Sequence, residues 1–159
     1  MNPFSIKSLA LIGLGLLLGV AGARADDLAI IVNKTNSLDS ISSADLAKYF
    51  KAEKSKAPDG KKLVIVMQDV GRPERAAALK DIYKMSETEY NDYFVEATFT
   101  GAVAAAPKAL PSGAAVKSFV AETPGGIGYV VSGDADASVK VLKIDGKAPG
   151  DADYKLKVK

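Results

Sequence analysis

The sequence contains neither cysteine nor histidine. Without cysteine no disulfide can staple the fold, so stability must come from packing. Without histidine the commonest general base and the commonest metal ligand are both missing. Ser–His and Cys–His nucleophile arrangements are excluded, and a zinc site is disfavoured. There is no P-loop and no complete G-x-G-x-x-G dinucleotide signature. No internal repeat of about 20–50 residues is visible. From Lys56 to Met85 there is no serine or threonine, so that stretch offers no hydroxyl donor.

What is present begins with a targeting pattern. Lys7 precedes an apolar run from Leu9 to Val20, which ends in Ala23-Arg24-Ala25. A basic n-region, an h-region and an A-x-A site together make a cleavable secretory signal. The run is short for a spanning helix, although an uncleaved anchor is the alternative. Cleavage is expected after Ala25, sending residues 26–159 to the periplasm as one domain. No cysteine stands at that point, which argues against a lipid anchor. The whole chain carries 21 basic and 19 acidic residues. Lys7 and Arg24 leave with the signal and no acid does, so residues 26–159 balance at 19 against 19. The basic pI of the precursor therefore gives no reason to expect nucleic acid as a partner. The 134 residues that remain suffice for a single domain with a real core.

The chain is organised around Leu63 to Lys84. The apolar run Leu63-Val64-Ile65-Val66-Met67 suits a strand covered on both faces. It breaks at Gln68-Asp69-Val70-Gly71 and restarts with Arg72-Pro73-Glu74-Arg75 in a helical pattern. Gly71 permits a sharp turn and Pro73 fits the first position of a helix. A helix N-terminus carrying two arginines is a candidate anion site. Against it, Pro73 removes one N–H and Glu74 offsets one arginine. An ordinary strand–turn–helix with a solvated first turn accounts for the same residues.

Leu28 to Val32 reads as a first buried strand, followed by the donor-rich loop Asn33-Lys34-Thr35-Asn36-Ser37. Loops past the carboxyl ends of strands in open α/β sheets are where ligands usually sit, though these are also plain turn residues. Ser42 or Ser43 caps a short helix to Phe50, with Leu46 and Phe50 inward. Lys51 to Lys62 is a charged loop closing in the turn Pro58-Asp59-Gly60. In the central helix Ala76, Leu79 and Ile82 or Tyr83 are expected to face the core. Ser86-Glu87-Thr88-Glu89 is a capping box opening the next helix. Its Tyr90, Tyr93, Phe94 and Ala97 stripe is read as a core face, with Asn91, Asp92 and Glu96 opposite. An Ala-rich connection then runs to Pro111. Ser112 begins a third helix with Val116, Phe119 and Val120 inward, stopped by Thr123-Pro124-Gly125-Gly126. Ile127 to Val131 is a buried strand in which Gly128 marks a close backbone approach. Val139 to Asp145 and Tyr154 to Val158 are further strands. The alternation predicts an α/β sandwich with helices on both faces of the sheet.

Several of these stretches carry a resemblance: Ile31-Val32-Asn33 with Asn36, Asp45-Leu46-Ala47-Lys48-Tyr49-Phe50, Asp59-Gly60, Gly71 to Arg75, Phe99-Thr100-Gly101, and Thr123-Pro124-Gly125-Gly126-Ile127-Gly128-Tyr129-Val130. In this order they resemble the phosphate-type periplasmic substrate-binding proteins of ABC transporters, and more closely their short single-lobe relatives. The resemblance implies a three-layer lobe of the type II periplasmic-binding kind, with a mixed sheet of about five strands. It also implies phosphate or a similar oxyanion as ligand and an ABC transporter permease as partner. The family places a basic residue and then Ser-Gly-Thr around the oxyanion. Here that turn reads Gln68-Asp69-Val70-Gly71-Arg72-Pro73, with Gly71 kept and both hydroxyls absent.

The ligand-binding residues expected on this basis are Gly71, Arg72 and Arg75, with Thr35, Asn36 and Ser37 reaching in from the neighbouring loop. Arg75 would supply a guanidinium fork. Half a clamp leaves the anion wet, so a second copy in a homodimer or an envelope protein would have to close it. The competing reading is a non-catalytic envelope interaction module on a lobe that has lost its ligand. A phosphatase is disfavoured, because Asp69 and Glu74 have no activated nucleophile beside them. No enzymatic activity and no cofactor are expected.

Overall fold

The computed structural model describes residues 26–159, so the signal expected over residues 1–25 lies outside them. β1 (Asp26–Val32) has no polar residue after Asp27, and Leu28 to Val32 are fully buried. Its side chains alternate between two cores. Leu28, Ile30 and Val32 join one cluster, Ala29 and Ile31 the other. β5 (Gly126–Val131) lies antiparallel beside it, with Leu28 opposite Val131 and Val32 opposite Ile127. β3 (Val64–Gln68) runs parallel to β5, and β4 (Lys108–Leu110) parallel to β3. β6 (Lys140–Val141) and β8 (Lys157–Val158) pair antiparallel with the two ends of β1. The result is a mixed six-stranded sheet. β2 (Ser40–Ile41) and β7 (Lys143–Ile144) form a separate parallel pair.

Helices cover both faces. α1 (Ser43–Phe50), α2 (Pro73–Ala78) and α3 (Glu87–Phe99) pack on the Leu28–Ile30–Val32 face. α4 (Gly113–Glu122) lies alone on the other, where Val116 and Val120 meet Ala29, Ile31, Val66 and Val130. Gly128 packs directly against α4. A Cβ there would stand 2.7 Å from Val116 Cγ1 and 3.1 Å from Val66 Cγ1.

The expected three-layer α/β lobe is therefore present, with local differences. The Ala-rich connection contains β4, which alanine content alone does not announce. The strand expected over Val139 to Asp145 divides at buried Leu142, so that β6 serves the main sheet and β7 the small pair. The last strand shortens to Lys157–Val158, while Tyr154 and Leu156 still bury their side chains. α2 is α-helical for only six residues and continues as a π-turn, Leu79–Tyr83. Ala76, expected inward, is exposed, and Ala77 and Ala78 are buried in its place.

Candidate functional site

The corner between β3 and α2 is built by its backbone. Asp69 N–H donates to the Leu110 carbonyl at 2.8 Å, tying the end of β3 to the end of β4. Gly71 has φ +88°, a left-handed value that glycine adopts without Cβ strain. Arg72 is the N-cap and offers no side-chain cap, and Pro73 follows at the first helical position. Between this corner and the start of α3 lies an open cleft of about 390 Å³, lined by Gly71, Arg72, Arg75, Lys80, Ser86 and Glu87.

The two arginines of the corner differ sharply. Arg75 is buried. Its Nε donates to Glu87 Oε2 at 3.0 Å, and its Nη1 donates to the Gln68 carbonyl at 3.1 Å. Its Nη2 pairs with Glu87 Oε1, and the guanidinium stacks over the Tyr90 ring, 4.9 Å from the centroid. The hydrogen bond to Glu87 raises the arginine's pKa further above its ordinary value. The fork expected for an oxyanion thus already holds a carboxylate. Arg72 keeps 43% of its side chain exposed. Its Nε lies 3.4 Å from Gln68 Oε1, and its Nη2 lies 3.6 Å from Glu74 Oε1. Of these two guanidiniums, only that of Arg72 can meet a solute.

The first turn is only half solvated, with Pro73 and Ala76 exposed and Glu74 and Arg75 turned inward. Glu74 is buried, and its Oε2 accepts no hydrogen bond. Gln68, also buried, is the hub that sequence reasoning passed over. It meets Arg72 through its side chain and Arg75 through its carbonyl. Its N–H donates to the Tyr129 hydroxyl at 3.1 Å, and its Nε2 to the Tyr129 carbonyl at 3.3 Å. Burial pushes the Tyr129 phenol well up. The available signal was a lone amide closing an otherwise apolar strand.

Thr35, Asn36 and Ser37 lie at the opposite end of the sheet from Gly71, Arg72 and Arg75. The registers fix this: Val32 faces Ile127 across one side of β5, while Val64, the start of β3, faces Gly126 across the other. The expectation of one shared site therefore does not hold. β1 runs antiparallel to β5 and β3 parallel to it, so the carboxyl ends of β1 and β3 point in opposite directions. The polar loop instead has local partners. Asn33 Nδ2 donates to the carbonyls of Val120 and Ala121 at 2.9 and 3.0 Å, closing the end of α4. Asn33 Oδ1 accepts from Thr35 N–H and Oγ1. Asn36 Oδ1 accepts from Leu38 N–H in an Asx turn. The Lys61 N–H and the Ser37 hydroxyl hold the Asp59 carboxyl below its ordinary range. Thr35 and Asn36 line a separate cleft of about 320 Å³ with Asp59, Lys61 and Lys62.

Among the described residues no cluster of three acidic side chains is placed to hold a metal. No family model and no curated protein matches the sequence. Solved structures do share the fold. PstS from Borrelia burgdorferi is 18% identical, over 84% of this chain and 55% of its own, with a TM-score of 0.67. A protein from Clostridium perfringens, assigned as a phosphate ABC transporter substrate-binding protein and carrying bound phosphate, is 18% identical. That match covers 82% of this chain and 52% of the other, at a TM-score of 0.65. An ABC-type phosphate transport receptor from Vibrio cholerae is 18% identical over 78% of this chain and 48% of its own, TM-score 0.63. The chain spans about half the length of these structures. Its mixed sheet with helices on both faces is the α/β fold of these binding proteins, at the size of one lobe.

Proposed function

We propose that the chain is a non-catalytic periplasmic substrate-binding lobe that takes phosphate or a similar oxyanion at the Gly71–Arg72 cleft, in association with ABC-type phosphate transport. The observation that carries the reading is Arg72, a guanidinium with a solvent-facing side at the strand-to-helix corner of a fold shared with phosphate-binding structures. Lys80 and Ser86 line the same cleft and add a cation and a hydroxyl. Arg75 positions this corner and does not touch the anion. Thr35, Asn36 and Ser37 are left out of the site.

One guanidinium in an open cleft binds weakly, because a charge contact in water is worth only about 1 kcal/mol. Affinity no tighter than about 1 mM, which would need about 4 kcal/mol, is expected for the single lobe, rising if a second copy or a permease closes over it. Calorimetry with phosphate at low salt tests this. Saturable binding that disappears in Arg72→Ala supports the reading; no saturable binding at either protein concentration, dilute or high enough to favour a dimer, removes it.

The second reading is an envelope interaction module that has lost its ligand. It is favoured by the engagement of Arg75 with Glu87 and by the lack of hydroxyls from Lys56 to Met85. In that case Arg72→Glu leaves association with a purified permease unchanged, and phosphate has no effect on it.

A further inference from the structure

The outer face of α3 carries apolar side chains that the core does not use. Phe99 is 91% exposed and Val95 70% exposed. They lie four residues apart, on the side of the helix away from the buried Tyr90, Phe94 and Ala97. With Asn91, Thr98 and Ala106 they line an open groove of about 640 Å³. An exposed apolar patch with a polar border marks an interaction surface. Charge decides what fits this one. From Met85 to Pro107 there are four acids and no lysine or arginine. Glu87 is engaged by Arg75. Glu89, Asp92 and Glu96 fall at i, i+3 and i+7 and form an acidic strip along one flank of the apolar one. All three are exposed, and none enters an ion pair among the described residues. Lys108, the first base after the helix, lies over the Phe119 ring, 5.3 Å from its centroid, on the other face of the sheet. The same face of a second copy brings further acids and no base. The basic loop of a second copy, Lys51 to Lys62, has the opposite charge but no large apolar side chain to fill the groove.

We propose that this face of α3 docks a partner helix that is apolar on one side and basic along its flank. Aliphatic side chains of the partner enter the groove against Val95 and Phe99, and its lysines or arginines meet Glu89, Asp92 and Glu96. The strip Asn91–Val95–Phe99 runs over two helical turns, which matches the regular anchors of an amphipathic helix. Apolar burial supplies the affinity. The acidic strip sets the orientation and rejects acidic partners. The surface lies toward the other end of α3 from the Arg72 cleft and does not depend on an anion there.

The probe is a labelled synthetic peptide of about 18 residues, long enough to form a helix, with leucines on one face and lysines on the other. Its counterpart carries glutamates in place of the lysines. Fluorescence anisotropy with the unaltered protein is expected to show saturable binding of the leucine–lysine peptide and none of the leucine–glutamate one. Phe99→Ser weakens binding by roughly tenfold or more. Its urea midpoint stays unchanged, because Phe99 is exposed and packs little against the core. Reversing charge with Asp92→Lys and Glu96→Lys together weakens the leucine–lysine peptide by roughly three- to tenfold and admits the leucine–glutamate peptide. No saturable binding, equal binding of the two peptides, or equal affinity in Phe99→Ser overturns the proposal. Phe99-dependent binding to phosphatidylglycerol vesicles, or Phe99-dependent dimerisation, assigns the groove to lipid or to a second copy and overturns it as well.

Discussion

The Arg75 guanidinium holds three acceptors and an aromatic face at once: both oxygens of Glu87, the Gln68 carbonyl and the Tyr90 ring. Removing the negative partner leaves a buried cation without its counter-charge. Glu87→Gln is therefore expected to lower stability by about 2 kcal/mol in urea unfolding, a cost that follows from stranding the buried member of a half-exposed pair. The tyrosines beside it make a second prediction. Burial raises the Tyr90 phenol to about 12 and drives Tyr83 and Tyr129 up as well. Their unfolded phenols ionise near pH 10, so the stability they confer is full below about pH 10 and is lost as pH climbs from there. The tyrosinate absorbance of these three should appear together with unfolding, passing through about 12, and titration of any of them near pH 10 in the folded protein would contradict the packing. Residue identities alone made Arg72 and Arg75 look equivalent. Only their neighbours separate them, because one faces solvent and the other a carboxylate from the next helix.

Among the elements, α3 was the most legible. Ser86 accepts from Glu89 N–H, Glu89 reaches back to Ser86 N–H, and Tyr90, Phe94 and Ala97 are buried as their spacing requires. Ser86→Ala should cost about 1 kcal/mol in thermal or urea unfolding, the usual loss for a cap that satisfies an end N–H. A loss near zero would mean water replaces the cap at no cost. α2 was less legible. It shifts to a π-turn at Leu79–Tyr83 and stops with Lys84 in the left-handed region at φ +57°. The buried Arg75, Ala78, Leu79 and Ile82 still fall at i, i+3, i+4 and i+7, so Ala76 was misplaced because a charged Arg75 was not expected on the inner face. The short strands β2 and β4 were hardly visible, since two or three residues carry no periodicity, while β6 and β7 were legible only as one strand over Val139 to Asp145; they exist because a neighbouring strand offers unpaired backbone groups.

At the scale of the molecule, two cores sit on opposite faces of one sheet and share β1, whose side chains alternate between them. The C-terminal segment closes the larger one. Tyr154, Leu156 and Val158 are buried, the Tyr154 hydroxyl donates to the Leu28 carbonyl at 2.7 Å, and Leu28 N–H donates to the Leu156 carbonyl. Deleting residues 153–159 removes three buried side chains worth about 1.5–3 kcal/mol each and exposes the flank of β1 that they cover. The expected outcome is a chain without a cooperative unfolding transition by circular dichroism at ambient temperature. A truncated protein with an unchanged midpoint would show that the segment only decorates the sheet.

The sequence by itself determined the fold class, the helices, the buried strands and the close approach at Gly128. These follow from local properties: apolar period, capping residues, glycine and proline. It could not decide which end of the sheet each loop occupies, because strand direction depends on long-range pairing. The antiparallel placement of β1 against β5 separated Thr35, Asn36 and Ser37 from Gly71 and Arg72. Nor could it decide which charges meet. Glu87 reaches Arg75 from twelve residues away, and the Glu74 carboxylate turns inward against Arg72. Electrostatic roles are set by distance and burial in three dimensions, and neither is a property of position along the chain.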